Sequence, residues 1–201
     1  MSSANSLAVE DLGSAAQRDR RKRILDATIT LASQGGFDAV QMRAVAEQAD
    51  VALGTLYRYF PSKIHLLVSA LQREFERTEA IMRERPSEGD TAAERVINSL
   101  KRTTRGMQSD PQLTEALTRA FMFADGSVAA EIHQVGMLLT SMLTKAMHPE
   151  GHDKLTEEDV AIARVIGDVW LSALVGWVTG RTTAAETGQQ IEVAVKLLLR
   201  D

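Results

Sequence analysis

Residues 55–63 carry Thr55, Tyr57, Arg58, Tyr59 and Lys63, three hydroxyls and two cations within nine positions. Donors spaced this closely suit a partner rich in oxygen acceptors. The phosphate backbone of DNA takes its hydrogen bonds from such side chains. Binding, not catalysis, is the chemistry on offer.

Two short helices are predicted to hold these residues. The first, over 42–49, places Met42, Val45, Ala46 and Ala49 at the i, i+3, i+4, i+7 spacing of one helix face. Asp50 breaks it, being a short polar residue that tolerates a left-handed turn. The second, over 52–60, buries Val51, Leu56 and Phe60 and turns Leu53, Gly54, Thr55, Tyr57, Arg58 and Tyr59 outward. Pro61 ends it, because the residue before a proline is driven from the helical region. Two helices across so short a turn form a helix-turn-helix, whose second helix enters the DNA major groove. Leu53, Gly54, Thr55 and Tyr57 open that helix, where side chains reach base edges, and Gly54 lets the backbone come close. Gln41, Met42 and Arg43 open the helix before it and face the DNA backbone. Lys63 begins the next helix, where free amides and an ammonium can hold one phosphate together.

Charge is distributed to match. The 201 residues carry a net charge of −4, yet residues 14–63 hold eight Lys/Arg against five acids. The basic run Arg18, Arg20, Arg21, Lys22 and Arg23 precedes the motif, and Arg20 is taken as a DNA contact. A basic head on an acidic body marks the end that meets phosphate.

Elsewhere the pattern is helical with no strand signal. A helix over 14–33 stops at Gly35-Gly36, and an amphipathic helix opens at Pro61-Ser62-Lys63 and runs to about 84. Further helices are predicted over 91–108 (with a Thr91/Glu94 capping box), 109–124, 127–147, 156–179 and 184–200. The expected architecture is all-α, about nine helices. A disordered tail covers 1–13, a DNA-binding head 14–63, and an effector-binding and dimerisation domain 64–201. The final two helices are apolar almost all round, and such helices must be covered all round. A second copy supplies the cover, with Trp177, Val193 and Leu197 at the interface of a two-fold four-helix bundle. The apolar stretch 160–178 contains Arg164 and Asp168, so it reads as a buried helix rather than a membrane span. The chain has no cysteine, and its first ten residues lack a leader pattern; a cytoplasmic protein is expected.

The run Met42-Arg-Ala-Val-Ala-Glu-Gln-Ala-Asp-Val-Ala-Leu-Gly-Thr-Leu56, continued by Tyr57-Arg-Tyr-Phe-Pro-Ser-Lys-Ile-His-Leu-Leu67, resembles the DNA-binding signature of the TetR family of transcriptional repressors. The resemblance spans roughly 20–71. It departs from the usual pattern at Gln41, where a capping Thr is common, and at Asp50-Val-Ala52, where Gly-Val-Ser is common. Thr55, Tyr57, Tyr59 and Lys63 match the family's phosphate-contacting types. A narrower likeness, to actinobacterial repressors of cholesterol catabolism, is carried by 16–28, 40–46, 62–71, 113–125 and 162–171. It implies a palindromic operator, a homodimer, and release by a coenzyme A thioester of an early sterol catabolite.

Met107, Leu113, Leu117, Phe121, Met122, Met137, Met142 and Trp170 lie in the family's ligand region and collectively suit a large apolar effector, although for any single one ordinary core is the better reading. Arg102, Arg105 and Arg119 are available to the thioester's acidic part or to solvent. A drug or a fatty-acyl thioester is the other effector class, controlling efflux or other lipid genes. No cofactor is expected. An enzyme or metal site has little to stand on: His148 and His152 are the two close histidines, with Pro149 and Gly151 between them.

Overall fold

The computed structural model describes the backbone of residues 3–151 and 155–200 and the side chains of residues 15–151 and 155–200. The described residues are all-helical: α1 (Ser3–Ala39), α2 (Met42–Gln48), α3 (Leu53–Tyr59), α4 (Lys63–Glu84), α5 (Ala92–Gln108), α6 (Pro111–Met122), α7 (Ala129–Met147), α8 (Glu157–Val178) and α9 (Ala184–Leu198). A single 3-10 turn, Gly126–Val128, joins α6 to α7. Among the described residues there is no strand.

The head is α1 to α3 closed by the start of α4. Ile24, Leu25, Val40, Val45, Leu56, Phe60 and Leu67 meet in its core. Asp50 takes the left-handed conformation, φ 52°, that the turn between α2 and α3 requires. Arg23 reaches from α1 to donate to the Ala49 carbonyl at 2.7 Å, meeting the negative end of α2. Arg73 of α4 pairs with Asp26 of α1 at 2.8 Å. The turn and the recognition helix are thus pinned to a scaffold from two sides.

In the body, α4 packs on α6 and α7, and α8 packs on α7 and α9. Capping boxes start α5 at Thr91/Glu94, α8 at Thr156/Asp159 and α9 at Thr183/Glu186, each satisfying amides that a helix start leaves free. Trp170 is buried edge-on against Phe75, ring centroids 6.0 Å apart, and its indole N–H donates to Thr104 Oγ1 at 2.9 Å. Lys101 of α5 and Lys196 both grip Glu192 of α9; the hydrogen bond from Lys101 does most to pull its carboxyl down to about 2.

Gly35-Gly36 interrupts the first helix as expected, with non-helical backbone at both residues, and one more turn follows to Ala39. Other expectations shift. The tail expected over 1–13 falls partly on residues 1–2, outside the described residues; from Ser3 the backbone already belongs to α1. α4 opens where expected, with Ser62 as its cap, its Oγ accepting from the His65 amide at 3.3 Å. Val51 is only half-buried, and α9 ends at Leu198. By length and composition α8 could cross a membrane, but Ile166, Trp170, Ala173 and Leu174 on it are core residues of this fold.

The Trp170–Thr104 bond is internal to the body and gives a direct test of its packing. Replacing Thr104 by Val leaves a buried indole N–H without its acceptor and is expected to cost about 1–3 kcal/mol. A lowered urea midpoint with an unchanged slope registers the loss, and Thr104→Ser is expected to restore it.

Candidate DNA-binding and effector sites

The recognition helix presents a continuous face. Gly54, Tyr57 and Arg58 are exposed, and Leu53, Thr55 and Tyr59 are half-buried. A Cβ at Gly54 would meet no atom within 4 Å, so a partner's backbone can come close there. Tyr57 is 46% exposed although it sits one residue from fully buried Leu56. Arg58 makes one long contact, 3.4 Å to Thr55 Oγ1. Tyr59 leans toward Phe60, centroids 6.3 Å apart, and shares the burial of that ring. Leu53 and Met42 pack against the head core, and that packing is their visible role.

Flanking residues divide between internal and external work. Arg43 is exposed and makes no hydrogen bond or ion pair with the described residues. Gln41 is exposed too, but its amide donates to the Asp38 carbonyl at 2.8 Å and does not cap α2. Within the basic run, Arg23 serves the turn, Lys22 pairs with Asp26, and Arg21 lies 5.7 Å from the Phe60 ring centroid. Arg20 is half-buried and makes no such pair with the described residues. The run is therefore partly scaffold.

Lys63 stands at the first position of α4, its ammonium 3.9 Å from the centroid of Phe37. Burial pushes its pKa below the usual lysine value, while nearby Asp38 acts in the opposite direction. Its amide and that of Ile64 lie in the first helical turn, where backbone donors lack intrahelical partners. Phosphate capture and packing on Phe37 are both open to this residue.

Two neighbouring cavities in the body share lining residues. An inner one of about 170 Å³ lies between α6, α7 and α8, with Phe75 of α4 and Met107 of α5 on its wall. Phe121, Val135, Leu139, Trp170 and Leu174 make it apolar, and Thr140, Arg164 and Asp168 stand among its lining. An outer one of about 470 Å³ lies between α4, α5 and α6 and contains Leu113, Leu117 and Met107 among its lining. Leu71, Phe75 and Met107 line both.

The expected effector residues are thus sorted. Met107, Phe121 and Trp170 line the inner cavity, and Met107, Leu113 and Leu117 the outer. Met142 lines neither. It borders a separate hollow where Lys145 binds Glu79 and, through that hydrogen bond first, lowers its pKa. Met122 and Met137 are more than half exposed and belong to the surface, because each falls on the outward side of its helix. Arg102 donates to the Arg85 carbonyl at 2.8 Å, and Arg119 pairs with Asp38 and Glu115, so both already have structural partners. Sequence reasoning missed Leu71, Phe75, Leu139 and Leu174, whose apolar spacing looks the same whether a helix faces core or cavity.

Val193 and Leu197 are 52% and 56% exposed on α9, and Val165 is 46% exposed on α8. Trp177 is half-buried within its own chain. His148 lies 3.2 Å from Asp159 Oδ1, whereas His152 lies outside the described residues.

Residues 24–70 match the family described as bacterial regulatory proteins, tetR family. Residues 89–198 match the tetracyclin repressor-like C-terminal domain. The HTH-type transcriptional repressor KstR of Rhodococcus jostii is 57% identical over 198 residues, covering 98% of this chain and 91% of that protein. KstR of Mycobacterium tuberculosis is 53% identical over 195 residues, covering 97% of this chain and 87% of that protein. A crystal structure of a TetR transcriptional regulator from Rhodococcus sp. RHA1 superposes with a TM-score of 0.85 at 31% identity, covering 92% of this chain and 98% of that one. With a helix-turn-helix head, a helical body and this likeness along nearly its whole length, the chain belongs to the TetR family and is a KstR-like transcriptional repressor.

Proposed function

We propose that the chain binds palindromic operator DNA as a homodimer and is released by a coenzyme A thioester of a sterol catabolite, so that it controls sterol-degradation genes. The observation that carries this reading is the reach of the likeness. Identity of 57% extends over 198 residues, far beyond the head and through the helices that line both cavities. A likeness confined to DNA reading would have no reason to extend there. The resemblance to repressors of cholesterol catabolism supplies the ligand class. A regulator of the same fold, Thermus thermophilus FadR, was crystallised in complex with lauroyl-CoA and superposes with a TM-score of 0.69 at 19% identity, so a thioester is compatible with this architecture.

Release follows from geometry. At about 170 Å³ the inner cavity lies below the roughly 300–1,000 Å³ of a typical ligand pocket, so a sterol must part the helices around it. Moving α4 moves the recognition helix that precedes it, and two such helices on a dimer then lose the spacing of half-sites about one DNA turn apart. Leu53, Gly54, Thr55 and Tyr57 read base edges, whereas Arg20, Gln41, Arg43, Arg58, Tyr59 and Lys63 hold the backbone. The exposed Val193 and Leu197 stripe, with Val165, is the two-fold contact.

The deciding experiment is binding to the chain's own promoter region, titrated with steroid coenzyme A thioesters; the free protein should retard the DNA and the thioester release it. Equal thioester affinity for free and DNA-bound protein would remove the mechanism. Release by a drug or fatty-acyl thioester alone would transfer control to efflux or other lipid genes. Lys63→Ala is expected to weaken binding to every sequence and to lower the salt slope by about one; an unchanged slope leaves Lys63 as packing on Phe37. Val193→Arg with Leu197→Arg is expected to give a monomer by sedimentation and to abolish tight operator binding, and a persisting dimer would place the interface elsewhere.

A further inference from the structure

We infer that Arg23 is a positioning residue for sequence-specific DNA reading. It holds the turn between α2 and α3 in place of restraints that the turn itself lacks, and so aims the first residues of α3. The inference rests on DNA binding alone and is independent of the effector.

The recognition helix is weakly fixed by its own sequence. It has seven residues, too few for a helix to persist alone, and Leu56 is the one side chain it buries fully. Its C-terminal end is anchored by Phe60, which is 2% exposed and whose amide donates to the Leu56 carbonyl at 2.9 Å. The N-terminal end has no comparable anchor. Ala52 stands at the cap position and makes no side-chain hydrogen bond, whereas Ser62, Thr91, Thr156 and Thr183 cap later helices. Asp50 holds φ 52°, a conformation that glycine alone adopts without cost. Between them, Val51 is only half-buried. The turn is loose at each of its three residues.

Arg23 acts on it from outside the motif. Its Nη1 donates to the Ala49 carbonyl at 2.7 Å and lies 3.4 Å from the Asp50 carbonyl. No backbone amide among the described residues donates to either oxygen, so one guanidinium holds both the end of α2 and the start of the turn. Arg23 is itself seated. Asp19 Oδ2 lies 3.3 Å from its Nε, an ion pair without hydrogen-bond alignment. One residue earlier, the Lys22 carbonyl accepts from Arg73 of α4 at 3.3 Å, and Arg73 also pairs with Asp26 at 2.8 Å. α1 cannot slide along α4 without breaking both contacts, which fixes the point where Arg23 emerges. Leu53, Gly54, Thr55 and Tyr57 follow the turn directly, so a tilt there moves all four together. Phosphate contacts supply general affinity and base contacts supply discrimination, and a tilted α3 loses the second.

Fluorescence anisotropy on the full-length protein separates positioning from phosphate contact. The probes are a duplex that the wild-type protein selects from a random pool and calf-thymus DNA, each across a range of salt. Arg23→Gln is expected to weaken the selected duplex about tenfold, the scale of one mismatched base pair, and to leave calf-thymus DNA within about twofold at an unchanged salt slope. Arg23→Lys, which keeps the charge on a shorter stem without the fork, should fall between. Asp50→Gly with Ala52→Ser supplies the missing local restraints, and adding Arg23→Gln to that pair should cost at most about threefold. Equal weakening on both DNAs, with a slope lower by about one, would make Arg23 a phosphate contact and overturn the inference. Full discrimination in a folded Arg23→Gln, or an undiminished loss in the restrained background, would overturn it too. If circular dichroism shows Arg23→Gln unfolded, Arg23→Lys decides: reduced discrimination supports positioning, and wild-type discrimination rejects it. A wild-type protein that selects no duplex would remove DNA reading itself, and the inference with it.

Discussion

One aromatic ring joins the two halves of the molecule. Phe37, just past the kink in α1, has the Lys63 ammonium 3.9 Å and the Arg119 guanidinium 4.5 Å from its ring centroid. Its amide donates to Glu115 Oε2 at 2.8 Å. Lys63 opens the helix that follows the recognition helix, and Arg119 and Glu115 lie on α6. This arrangement depends on Gly36. Its φ of 66° is one that side chains rarely adopt, and a Cβ there would lie 2.7 Å from the Glu115 carboxylate. Asp38 completes the cluster by pairing with Arg119 at 3.4 Å. Two cations on one ring, with carboxylates to balance them, give a contact that resists being pulled apart one group at a time.

This junction gives α6 two obligations. Toward α1 it offers Asp110, Glu115 and Arg119; toward the cavities it offers Leu113, Leu117, Thr118 and Phe121. A displacement of α6 must either carry the end of α1 with it or break the Phe37–Glu115 bond. Packed helices move between discrete arrangements rather than deforming smoothly, so neither outcome leaves the head unaffected. His65 adds a second tether at the start of α4, between Ser62 Oγ at 2.9 Å and the Ser127 carbonyl at 3.0 Å. The DNA-reading unit is therefore held to the body at both α1 and α4, and the proposed release mechanism has a physical path through both.

What was legible in the sequence follows from how local each signal is. The capping box at Thr91, the helix start at Thr156, the turn at Asp50 and the stop before Pro61 are fixed by neighbours a few residues away, and each appears where the residue pattern put it. The left-handed turn at Asp50 is the clearest case, since few other residue types accept that conformation without cost. Gly35-Gly36 was legible as a stop but not as a junction, because its partner, Glu115, is far away in sequence. The same limit applies to the basic run. Arg23 looks like its neighbours in sequence, and only the fold brings the Ala49 carbonyl within 2.7 Å of it.

Cavities are the least local feature and were the least legible. Apolar residues at helical spacing look the same whether they close a core or border a void, so Met122 and Met137 were counted with the ligand region and Phe75 was not. Only the register of three or four helices decides that Met122 turns outward while Phe75 and Met107 stand between two spaces. Charge obeys the same rule. Arg102 and Arg119 read as free cations in sequence, yet the fold has given each a partner. A guanidinium already paired gains little by taking a ligand's phosphate, because the new contact must replace the old one. An unpaired guanidinium at an opening faces no such exchange, so the cations that matter for an anionic ligand are the ones the protein has not used to hold itself together.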